Sequence, residues 1–73
     1  MSENNMVDAR GLSCPEPVML TNEALSKYGR GAFSVAVTSP AARDNVARTL
    51  SGAGRKYGIS ESGDGWLLTI DAE

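Results

Sequence analysis

The chain has 73 residues, 41% of them apolar, with one Trp, one Phe and two Tyr, a composition that fits one small two-layer domain and argues against wholesale disorder. Seven Lys/Arg against nine Asp/Glu give a formal net charge of -2, so the broad electropositive face needed for nonspecific phosphate binding is not expected. One Cys and no His exclude an internal disulfide, a Cys-x-x-Cys pair, the usual Cys/His metal sites and any Ser/His/Asp or Cys/His hydrolytic machinery within the chain.

Residues 1–5, "MSENN", read as a flexible tail and lack the basic and apolar regions of a signal peptide. No run approaches the roughly 18 apolar residues of a membrane span. The expectation is a small cytoplasmic protein whose single domain covers residues 6–73.

"MVDAR" alternates loosely and Gly11 follows, which predicts a first strand over 6–10 and then a turn. From Pro15 onward, Pro17, Leu20, Thr21, Ala24, Leu25 and Tyr28 share one side of a helix, with Asn22, Glu23 and Ser26 opposite and Gly29 and Gly31 as stop signals. In "FSVAVT" Phe33, Val35 and Val37 share one face of a second strand, and Ser34, Ala36 and Thr38 the other. Ser39 is a natural N-cap and Pro40 a natural first residue for a second helix. Its stripe is Ala42, Val46, Leu50 and Ala53, and it stops at the glycines 52 and 54. "RKYGISESGDGWLLTIDAE" reads as two strands joined at "GDG", with Trp66, Leu68 and Ile70 turned inward. The order β-α-β-α-β-β with right-handed crossovers predicts an α+β fold: a two-layer α/β sandwich, a four-stranded mixed sheet with two helices on one face.

The solitary thiol, Cys14, falls between the first turn and the first helix. If that helix opens at Pro15, Cys14 is its N-cap, and Pro15 and Pro17 occupy the first turn, where no intrahelical N–H is needed. A thiolate there faces unpaired N–H donors and the positive end of the helix dipole, which lower its pKa. The rigid prolines also fix its direction. A lone Cys is more often a small buried apolar residue, but the proline-flanked first turn favours a nucleophile. Glu16 suits the helix start and opposes full acidification of the thiol. Asp8 and Arg10 are either an ordinary surface pair or supports of the thiol loop. Met19, one turn on and off the apolar face, is either part of a docking surface or covered by a loop. Arg43, Arg48, Arg55 and Lys56 form a loose basic cluster, better read as a solvated helix face than as a steering patch.

"VDARGLSCPEPVMLTNEAL" resembles the opening of the TusA/SirA/YedF-like sulfur-carrier family, marked by Cys-Pro-x-Pro after an Asp-x-x-Gly-Leu lead-in. Asp8, Gly11, Leu12, Cys14, Pro15 and Pro17 match position by position. "PAARDNVARTL" and "GDGWLLTI" look most like the YedF-type branch linked to selenium metabolism. The resemblance implies the same sandwich and a persulfide sulfur carried on Cys14, with Asp8, Gly11, Pro15, Glu16 and Pro17 in support. The sulfur would come from a cysteine desulfurase or rhodanese-like donor and pass to an acceptor protein, as in tRNA thiolation or cofactor sulfuration.

Relatives often carry basic residues after the motif, where this chain has Asn22 and Glu23; with Met19 these are the candidate partner surface. YedF-type proteins often continue into a second domain, so the chain is expected to be a stand-alone carrier or an N-terminal domain. The expected state is a monomer without cofactor or metal, contacting protein partners rather than nucleic acid or membrane. The competing readings are a regulatory or adaptor domain with a structural or redox-sensing Cys, and selenium delivery by the same thiol.

Overall fold

The computed structural model describes residues 5–13 and 15–72. Six elements follow in the expected order: β1 (Met6–Asp8), α1 (Glu16–Tyr28), β2 (Phe33–Val37), α2 (Pro40–Gly52), β3 (Tyr57–Ser62) and β4 (Gly65–Ile70). The sheet runs β1-β2-β4-β3, with β1 parallel to β2 and β4 antiparallel to both its neighbours. The helices pack on each other, α1 on β1 and β2 and α2 on β4, so the fold is the predicted α+β sandwich.

The alternation read in the strands decides what lies between the layers. Phe33, Val35 and Val37 stand opposite Ile70, Leu68 and Trp66, and all but the half-buried Trp66 are buried. Ala24 from α1 and Ala42, Val46 and Leu50 from α2 close over them. Thr21, also fully buried, satisfies its hydroxyl by donating to the Pro17 carbonyl one turn back at 2.8 Å. Tyr28 and Phe33 stack with ring centroids 5.7 Å apart, joining the end of α1 to the start of β2.

Four boundaries differ from expectation, each for a local reason. β1 ends at Asp8 rather than Arg10: Ala9 still donates to the Ala36 carbonyl at 2.9 Å, but the Leu12 N–H then closes a turn onto the Ala9 carbonyl, with Gly11 at φ 78. Asn5, placed in the tail by its sequence, is tied to β2: its carbonyl accepts from the Ser34 N–H at 2.9 Å and its side-chain amide donates to Ala32 at 3.0 Å. α1 opens at Glu16 with Pro15 as N-cap, one residue later than read: the Met19 N–H bonds the Pro15 carbonyl at 3.0 Å, and the Glu16 N–H, which has no helical partner at this position, donates to the Ser13 carbonyl at 3.0 Å. Ala53 is exposed and caps α2 instead of lengthening its stripe; its N–H turns back to the Thr49 and Leu50 carbonyls. The other end of α2 is as expected, with Ser39 Oγ accepting the Ala42 N–H at 3.0 Å.

The largest departure is Arg55, placed by sequence in a solvated basic cluster. It is only 8% exposed. Its guanidinium donates to the carbonyls of Gly29 at 2.8 Å, Gly31 at 3.1 Å and Asp71 at 2.9 Å, with Arg30 at 3.4 Å. The Gly29, Arg30 and Gly31 carbonyls belong to the cap and loop that follow α1, beside the negative end of its dipole, and the planar, many-donor guanidinium reaches all three together with Asp71 just past β4. Arg43 leaves the cluster too: it lies 4.6 Å over the Trp66 ring and pairs with Asp44.

Candidate functional site

Because β1 and β2 are parallel and each feeds a helix, the amino ends of α1 and α2 emerge at one end of the sheet. The antiparallel hairpin brings the Gly63–Asp64 turn to that same end. Cys14 belongs to the β1–α1 connection there, and lies outside the described residues; its expected place as N-cap is taken by Pro15. Around it the connection can be described residue by residue.

The segment before the thiol is held at three points. Ala9 is buried and bonded to β2. The Gly11 N–H donates to Thr38 Oγ1 at 2.9 Å, fixing the turn to the end of β2. Arg10 grips Asp8 with both Nε (2.9 Å) and Nη2 (3.0 Å), and its own backbone N–H donates to the same carboxylate at 3.2 Å. Asp8 and Arg10 are therefore a surface pair that also shapes the turn. Leu12 packs half-buried against the core. After the thiol, Pro15 and Pro17 bring no N–H and that of Glu16 goes to Ser13, so the helix start presents fewer free donors to an anion than its position alone predicts.

The Arg10 hydrogen bonds, first those of the side chain and then that of the backbone, hold the Asp8 carboxyl down at about 2 from an ordinary 3.8. As pH falls the unfolded chain takes up this proton first, so the stabilisation is whole above about pH 4 and is lost between there and about pH 2. The urea midpoint of Arg10→Ala should therefore lie below that of the wild type at neutral pH and converge on it near pH 2. A gap that does not change with pH would rule the pair out as its source.

Two concavities flank this connection. One, about 190 Å³, is lined by Leu12, Glu16, Met19, Leu20 and Glu23; Met19 is 56% exposed, so it is not the loop-covered methionine of one of its two expected readings. Asn22 is exposed on α1 but lines neither this concavity nor the next along the helix. The other, about 330 Å³, is walled by Met6, Arg10, Thr38, Asp64 and Trp66. A larger one, about 370 Å³, lies beside Arg30 and Arg55 at the C-terminal ends of the helices, away from the thiol connection. Among the described residues no three or more Cys, Asp or Glu gather as a metal site, and no helix is long and apolar enough to cross a membrane.

The described residues thus form a fixed turn that leads into a proline-opened helix. The model of one family, described as sulfurtransferase TusA, matches residues 5–71. The chain belongs to the TusA family. A comparison with curated proteins found no significant match. Among solved structures, the crystal structure of a SirA-like protein from Desulfitobacterium hafniense is similar, at 28% identity and a TM-score of 0.80 over 93% of this chain and 97% of that one. The TusA family works in sulfur relay, and the fold expected from the resemblance is the one observed.

Sequence reasoning missed Thr38 and Ser13 as supports of the TusA-type turn. Thr38, expected within the second strand, lies just past the end of β2, and its partner Gly11 is 27 residues away. Ser13 acts through its backbone carbonyl, which residue type does not reveal.

Proposed function

We propose that this protein is a sulfur carrier working through Cys14. The observation that carries the reading is the family match over residues 5–71 with the sequence Cys14-Pro15-Glu16-Pro17 at the entry to α1. The Cys14 thiolate attacks the outer sulfur of a donor persulfide, R–S–SH. A bond forms between Cys14 Sγ and that sulfur, the donor S–S bond breaks, and the donor leaves as its thiolate. An acceptor thiolate then attacks the same outer sulfur and releases Cys14 as thiolate, with no net oxidation or reduction. The donor is a cysteine desulfurase or rhodanese-like protein and the acceptor another protein of the relay, in the cytoplasm. With no His and no second Cys, the chain supplies neither base nor resolving thiol, which suits handing sulfur on rather than turning over a substrate.

Incubated with a cysteine desulfurase and cysteine, the protein should gain the mass of one sulfur atom, and Cys14→Ser should gain none. No gain, or a gain that survives the substitution, overturns the reading. A wild-type protein that captures its partner in a pulldown no better than Cys14→Ser does, and itself gains no sulfur, would instead favour an adaptor domain. Supplying the desulfurase with selenocysteine in place of cysteine, and finding one selenium atom on Cys14 transferred from the donor's perselenide R–S–SeH as the donor leaves as its thiolate, would favour the YedF-type role.

A further inference from the structure

The apolar groove beside the thiol connection continues along α1. Its first part, lined by Leu12, Glu16, Met19, Leu20 and Glu23, shares Leu20 and Glu23 with a second concavity lined by Val7, Ala24, Lys27 and Tyr28. Leu12 and Leu20, half-buried, belong to the groove and Met19 stands out of it. Glu16 and Glu23 are both exposed, and neither carboxylate has an ion pair or hydrogen bond to a described residue. They are seven residues apart on one helix, which is two turns and about 10 Å along its axis. An adaptable apolar side chain therefore sits between two uncommitted negative charges on the surface that follows the thiol.

From this groove we infer that the sulfur-donating protein docks on α1 through a basic patch, an apolar side chain seated against Leu12, Met19 and Leu20 with Lys or Arg on either side facing Glu16 and Glu23. The inference rests on the sulfur-carrier reading and specifies the partner's chemistry. Rim charges of this kind act on encounter rate and partner choice more than on tightness, and their effect is screened by salt. An acidic donor surface is disfavoured by the same two carboxylates at low salt.

The test uses this chain, with the cysteine desulfurase of the same genome as protein donor and a small organic persulfide R–S–SH, whose reacting form is uncharged, as a donor that needs no docking. The quantity read is the rate of gain of one sulfur on Cys14 from the desulfurase, divided by the rate from the small persulfide, so that any change Glu16 makes to the thiol itself divides out. The wild-type ratio should fall as salt is raised. Glu16→Lys/Glu23→Lys, and Glu23→Lys alone, should lower it at low salt, by about tenfold for the pair, and the gap should close at high salt. Met19→Ser should lower it at every salt concentration. Ratios unmoved by charge reversal overturn the docking surface while leaving the carrier intact. Failure of Cys14 to take sulfur from either source overturns the carrier reading, and this inference with it.

Discussion

Gly65→Ala should destabilise the protein by about 2–4 kcal/mol, because the new methyl group has nowhere to go. A Cβ at Gly65 would overlap the Val37 carbonyl oxygen and approach the Val37 carbonyl carbon at 2.9 Å and Thr38 Cα at 2.8 Å. All three are backbone atoms, so relief requires β4 to move away from the end of β2 rather than a rotamer to change. The displaced residue is Thr38, whose hydroxyl takes the Gly11 N–H. Loss of stability should thus come with faster hydrogen exchange at the Gly11 amide. Gly58→Ala, in the neighbouring strand where a Cβ meets nothing within 4 Å, should shift the urea midpoint little. Equal effects at the two glycines would refute the steric account.

Removing the Arg55 side chain should have an effect of similar size. Arg55→Ala strips charge-assisted bonds from the carbonyls of Gly29, Gly31 and Asp71 and opens space near Phe33, whose ring lies 6.0 Å from the guanidinium carbon. A cost of about 2–4 kcal/mol is expected, tempered because water can reach some of the vacated carbonyls. Arg55→Lys keeps the charge but not the fork, and should recover less than half of the loss. A wild-type midpoint in either variant would mean that the carbonyls are as well served by solvent.

These two residues also mark where local reading stops. The Ser39-Pro40 cap, the alternation of Phe33, Val35 and Val37 and the Gly-Asp turn are written in neighbouring residue types, and each appears where expected. Arg55 answers carbonyls at least 16 residues distant, and its Gly-Arg-Lys context reads as solvent-facing until the end of α1 is known to lie beside it. α1 starts one residue beyond the expected position, with Pro15 rather than Cys14 as its cap, and the Glu16 N–H is taken by a backbone carbonyl, Ser13, which side-chain chemistry does not reveal. The candidate site divides likewise: Asp8, Gly11, Leu12, Cys14, Pro15 and Pro17 are legible as a motif and Met19, Asn22 and Glu23 as a surface, whereas the groove that Glu16, Met19 and Glu23 share with Leu12 and Leu20 exists only once the turn has brought Leu12 back against α1.

The strand order β1-β2-β4-β3 bears on how the protein is born. The element translated last of the six, β4, is threaded between β2 and β3 and supplies Leu68 and Ile70 to the middle of the core. Until it emerges from the ribosome, β2 has β1 on one side and nothing on the other, and the hydrophobic faces of both helices have only part of their platform. The turn after β1 hangs from the end of β2, so its anchor is complete only once β4 pairs with that strand.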